Sequence, residues 1–145
     1  MERKRQEYEE RLRTRGLRST KGRRAVLETL MKSGQPLAAE QIFLLLKERD
    51  SQINLSTVYR TLESLETAEL ITRISIHNDD RMLFEYNCLG HRHYLVCTEC
   101  KKIITVQHCP LGEYEKALEN ETGFSIYGHK LYLYGYCPQC KTKNT

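Results

Sequence analysis

Two Cys-x-x-Cys pairs, Cys97-Thr98-Glu99-Cys100 and Cys137-Pro138-Gln139-Cys140, constrain this chain more than any other feature. A turn of this kind aims both sulfurs at one point, and two such turns close a tetrahedron of thiolates suited to zinc. The chain must therefore return the second pair to the first, and the intervening stretch has room for a strand, a helix and a strand. Disulfides are the competing reading, but they belong to oxidising compartments. Met1 is followed by Glu-Arg-Lys-Arg, and no apolar run reaches signal-peptide or membrane-spanning length. The expected setting is a reducing cytoplasm with no membrane partner, where cysteines hold metal.

Charge separates the two halves. The 145 residues carry a net charge of +4, concentrated at the front: residues 1–24 hold ten Lys/Arg against four Asp/Glu, while residues 76–145 hold eight of each. A basic front and a neutral rear point the front at a polyanion. With 39% hydrophobic residues and no Trp, any core is modest, and a metal would stabilise a small second domain.

The front reads as helices. Residues 2–15 form a mostly exposed helix ended by Gly16. Ser19 or Thr20 caps a second helix with a stripe of Val26, Leu27, Leu30 and Met31, and Ala39, Ile42, Phe43 and Leu46 mark a third. Ser56 is expected to cap a fourth over residues 57–69, with Val58, Leu62 and Leu65 inward. Residues 70–76, a turn at 77–80 and residues 81–86 read as a hairpin. Three helices followed by a hairpin make a winged helix-turn-helix, whose recognition helix reads bases near its N-terminus. Arg60 suits a bidentate contact to guanine and Tyr59 a thymine methyl or a phosphate. Ser56 and Thr57 suit phosphates, and Arg18 ahead of the second helix suits phosphates or the minor groove.

Residues 87–93 form a polar joint. Beyond it, strands are expected at 94–97, 102–107, 124–127 and 129–136, with a helix over 111–122 whose Leu111, Tyr114 and Leu118 share a side. The expected architecture is α+β: a winged-helix DNA-binding domain over 1–86, a hinge over 87–93, and an α/β dimerisation and metal-binding domain over 94–145. Further metal candidates are His77, Cys88, His91, His93, His108, Glu113 and His129; Cys109 reads as structural. His91 and His93 lie two apart, so on a strand they share a face.

Taken together, Leu17-Arg18-Ser19-Thr20 with Arg24, Ala39-Glu40-Gln41-Ile42, Ser56-Thr57-Val58-Tyr59-Arg60-Thr61-Leu62, the His-rich run into Cys97-x-x-Cys100, and Gly128-His129-Lys130-Leu131 running into Cys137-x-x-Cys140 resemble the ferric uptake regulator family of bacterial metal-responsive repressors. The resemblance covers nearly the whole chain and is most like the zinc uptake regulator branch, where a thiolate such as Cys88 stands in the joint. Iron and peroxide sensors of the family place a carboxylate where Thr105 stands here. The resemblance implies one structural zinc per chain, at least one regulatory zinc, a homodimer, and double-stranded operator DNA as partner. Many relatives carry hinge histidines at the positions of Arg92 and Tyr94. In simple register His91 and His93 match a dimerisation-domain site instead, together with His129 and a carboxylate near Glu113. A β-bulge before Cys97 would restore the hinge register.

The expected function is a zinc-responsive repressor of zinc uptake genes, with neither enzymatic activity nor a small-molecule substrate. An iron- or peroxide-responsive regulator of the same family is the alternative. A zinc hydrolase built on His91 and His93 would lack an evident general base and leave the basic helices unexplained.

Overall fold

The computed structural model describes residues 1–87 and 92–143. Contacts divide the chain into two units, Met1–Leu89 and Gly90–Thr145; each is described by itself.

The first unit runs α1 (Glu2–Thr14), α2 (Lys21–Ser33), β1 (Leu37–Ala38), α3 (Ala39–Glu48), α4 (Leu55–Thr67), β2 (Ile71–Ile76) and β3 (Asp79–Tyr86). Thr20 caps α2 by accepting the Arg23 N–H at 3.2 Å, and Gly34, at φ 67°, ends it in the left-handed conformation. The expected helical stripes meet in one core: Val26, Leu27 and Leu30 of α2, Ile42 and Leu46 of α3, and Val58, Leu62 and Leu65 of α4 are buried together. The start of α4 differs from expectation. Its cap is Asn54, not Ser56: Asn54 has extended backbone, and its side-chain oxygen accepts the Thr57 N–H at 2.8 Å. Ser56 is already inside the helix, which shifts α4 two residues toward the N-terminus. A cap of this kind contributes about 1 kcal/mol.

The hairpin of β2 and β3 is antiparallel, and β1 adds to its other edge, giving the order β1-β3-β2. Phe84 lies opposite both Leu37 and Arg73. His77 and Asn78 make the turn, with Asn78 at φ 59°, a conformation its short polar side chain tolerates. The hairpin follows α4 directly, which is the winged helix-turn-helix order.

The second unit contains β4 (His93–Cys97), β5 (Ile103–Val106), α5 (Gly112–Thr122), β6 (Tyr132–Gly135) and α6 (Pro138–Lys143). β4 is central, antiparallel to β5 and parallel to β6. Pairing with β5 runs unbroken from His93 opposite Val106 to Val96 opposite Ile103, so no bulge lies between His93 and Val96. The expected strand over 124–127 does not form. The second edge of β4 is taken by Tyr132–Gly135, and Phe124 and Tyr127 are exposed. α5 forms close to its expected bounds; none of its residues is buried, and Tyr114 is exposed. Ile104, Leu95 and Leu133 lie abreast on the three strands, and all three are exposed. Among the described residues, no helix is long and apolar enough to cross a membrane.

Candidate metal centres and nucleic-acid face

Sheet register builds two side-chain clusters at opposite ends of β4. Because β4 and β6 are parallel, their C-terminal ends lie side by side, with Cys97 opposite Gly135. Each strand then runs straight into its Cys-x-x-Cys turn. The ligand atoms of Cys97, Cys100, Cys137 and Cys140 lie within 4.8 Å of one another. Cys100 Sγ and Cys137 Sγ are 3.7 Å apart, which matches the edge of roughly 3.8 Å in a tetrahedron with ~2.3 Å zinc–sulfur bonds. Lys101 follows the first turn at φ 65°, and its N–H bonds the Cys97 carbonyl at 3.0 Å.

Electrostatics prepares this cluster for a cation. Backbone N–H groups, that of Cys100 first and then that of Cys137, hold the Cys97 thiol down to about 6; the Cys137 N–H donates to its sulfur at 3.3 Å. The Cys140 N–H likewise lowers Cys137. Cys140 goes the other way, pushed up to about 12 by its hydrogen bond with Cys137 and then by burial. Four adjacent sulfurs cannot all ionise without a counter-charge, and a divalent cation supplies it. The donor set fits structural zinc.

The other end of β4 carries His93, which is 2% exposed. Just before β6 the chain passes alongside, with the Tyr94 N–H bonding the Leu131 carbonyl at 3.3 Å, and this delivers His129. β5 runs antiparallel, so the segment after Val106 also arrives here and delivers Cys109. The Nε2 atoms of His93 and His129 are 2.9 Å apart, and Cys109 Sγ is 3.2 Å from His129 Nε2. All three ligand atoms lie within 4.8 Å of one another. The other nitrogen of His129, Nδ1, pairs with the Glu115 carboxylate. With Glu115 ionised, Nδ1 is the donor and Nε2 turns a lone pair to its neighbours.

The candidate ligands thus sort unevenly. His93 and His129 meet. Glu113 and His108 are exposed and join neither cluster found among the described residues; Glu115 and Cys109 stand in the corresponding places. Residues 113 and 115 of a helix point in nearly opposite directions, and the register of α5 selects 115. The only sequence signal for Cys109 was its position directly after a strand beside Pro110. Tyr94 is buried and stacked on Tyr132, with ring centroids 6.0 Å apart. His77 is exposed in the hairpin turn of the first unit. Cys88 and His91 lie outside the described residues.

In the first unit, α4 turns Val58, Thr61, Leu62 and Leu65 inward and leaves Ser56, Tyr59 and Arg60 exposed near its N-terminus, with Thr57 half-buried. Arg60 Nη2 approaches Thr57 Oγ1 at 3.4 Å, and the Tyr59 hydroxyl donates to the Glu40 carboxylate of α3. That bond holds Glu40 below the usual carboxylate range and raises Tyr59 above the usual phenol value. Arg18 is exposed ahead of α2, and its carbonyl accepts from Arg23 Nη1 at 2.9 Å.

The sequence profile of the ferric uptake regulator family matches residues 14–134. A ferric uptake regulation protein of Campylobacter upsaliensis is 34% identical over 134 residues, spanning 91% of this chain and 85% of that protein. The crystal structure of the Vibrio cholerae ferric uptake regulator superimposes with a TM-score of 0.76 at 29% identity, covering 89% of this chain and 98% of that one. A zinc-bound manganese uptake regulator does so with a TM-score of 0.75 at 28% identity, covering 90% and 98%.

Proposed function

On the premise that the chain belongs to the ferric uptake regulator family and is a metal-responsive transcriptional regulator, we propose that it is a zinc-responsive repressor that binds operator DNA as a homodimer and controls zinc uptake genes. The observation that carries this reading is the pair of donor clusters at the two ends of one sheet. One is closed and all-sulfur, a donor set that suits a structural zinc. The other brings two imidazole nitrogens to one point, as a regulatory cation requires. Zinc would supply positive charge and coordination at both.

Cys97, Cys100, Cys137 and Cys140 would hold the structural ion. His93 and His129 would hold the regulatory one, and His77, Cys88 and His91 remain candidates for a hinge site. The metal acts by population shift: it must bind the DNA-competent arrangement more tightly than the alternatives, or it shifts nothing. The exposed row of Ile104, Leu95 and Leu133 supports pairing of two copies. Arg60 and Tyr59 would read base edges, while Ser56, Thr57 and Arg18 would hold phosphates. Arg60→Ala should cost about 1–3 kcal/mol of operator binding and relax the preference at one base pair; an unchanged preference removes it from the reading set.

An iron- or peroxide-responsive regulator is the second reading, and the name of the Campylobacter relative favours its iron-responsive form. Titration of operator binding against buffered zinc, ferrous iron and manganese separates the two. Zinc should activate at the lowest free concentration; activation by ferrous iron with zinc inert overturns the zinc assignment.

A further inference from the structure

Neither His93 nor His129 accounts for Cys109. Its sulfur is 3.2 Å from the nitrogen of His129 that also lies 2.9 Å from His93 Nε2, although Cys109 belongs to a different segment from either histidine. Cys109, His129 and Glu115 in a chain would by themselves fit an activated nucleophile and its base. The second imidazole decides against that. A nucleophile needs one base, whereas two nitrogens and a sulfur converging on one point form a cation's donor set. Glu115 on the far nitrogen of His129 completes the arrangement in which an outer carboxylate fixes the tautomer and orientation of a ligating imidazole.

We propose that Cys109 is a thiolate ligand of the second metal centre, with His93 and His129 as its nitrogen ligands and Glu115 as the positioning residue behind His129. This rests on the reading that the N-terminal end of β4 holds a metal, and it specifies the class of cation. Two imidazoles and a thiolate favour a borderline-to-soft divalent ion such as zinc over manganese or ferrous iron, which prefer oxygen donors. The ion would tie together the start of β4, the segment after β5 and the segment before β6. Donor spacings of roughly 3.2–3.8 Å follow from ~2.0–2.3 Å zinc bonds in a tetrahedron, so the His93–His129 pair opens by a few tenths of an ångström when the ion enters.

The test uses full-length protein loaded with one zinc per chain, cobalt(II) as the optical probe, and zinc content checked after each titration. Wild type and Cys88→Ser should bind one cobalt per chain with a near-ultraviolet thiolate-to-cobalt charge-transfer band. Cys109→Ser made in the Cys88→Ser background should still take up cobalt but lose the band. Glu115→Gln should keep the band while cobalt affinity falls about 10–100-fold. A band that persists in the Cys88→Ser/Cys109→Ser double variant, or disappears in Cys88→Ser alone, overturns the assignment of the thiolate. Cobalt bound by wild type without any band removes Cys109 and leaves the imidazole site standing. No cobalt uptake beyond the retained zinc removes the second centre itself. Unchanged affinity in Glu115→Gln removes Glu115 from its role.

Discussion

The two ends of β4 solve the same problem differently. At the C-terminal end, four sulfurs come from two short turns, each fixed by its own strand, and backbone N–H groups already hold Cys97 as a thiolate. At the N-terminal end, the donors arrive singly from three segments, and only His93 belongs to a strand. A cluster made of local pairs closes on itself and serves as a staple. A cluster assembled from separate segments depends on where those segments are, and so can report a change. On the proposed reading, permanence at one end and responsiveness at the other would follow from how the donors are supplied.

The largest test of that contrast is Cys137→Ser. Binding of a structural zinc is worth about 10–16 kcal/mol and is folding free energy in a small domain. The variant should lose its zinc and the fold of the second unit, read by metal content and circular dichroism, while the core of the first unit survives. A folded dimer with full metal content would end the distinction between the two ends. His93→Ala should have a smaller and more selective effect. It should keep the four-cysteine zinc and the fold, yet lose the gain in operator affinity that zinc confers, about 5–150-fold for a typical coupling. Normal zinc-dependent repression by this variant would place the responsive site elsewhere.

The smallest effect is a proton count. Above pH 6 the Cys97 thiol is already ionised without metal, whereas Cys140, pushed up to about 12, keeps its proton. Loading zinc into the four-cysteine site at pH 7.5 should therefore release fewer than four protons, with Cys140 contributing one. Calorimetry in buffers of different ionisation enthalpy measures the number. Release of close to four would mean that Cys97 keeps its proton without metal, either because the N–H groups do not hold the thiolate or because the unit unfolds when the ion leaves. The sign for stability follows: the depressed thiol favours the folded unit above its unfolded value, and that gain is lost as pH falls through about 6.

The winged helix and the paired cysteines were legible because their signals are local. A stripe at helical spacing or two cysteines three apart carry their own geometry. The start of α4 was misplaced by two residues because Asn54 and Ser56 are both good caps, and backbone conformation decided between them. The second centre was only half legible. His93 and His129 are conspicuous residue types, but Cys109 and Glu115 are chosen by sheet register and by the rotation of α5, which no local pattern states. Residues 124–127 misled because exposed aromatics such as Phe124 and Tyr127 resemble strand residues as strongly as buried ones do.

The parallel pairing of β4 with β6 also sets an order during synthesis. Every strand and helix of the winged unit lies before residue 87, so that unit has all its residues while the rest is still being translated. The sheet of the second unit waits for Tyr132–Gly135, and its sulfur cluster for Cys140. At ~5–20 residues per second that interval is roughly 3–10 s. For that time a nascent chain carries all of the winged-helix unit but lacks part of both donor clusters, and on the proposed reading metal capture would be the closing step of its assembly.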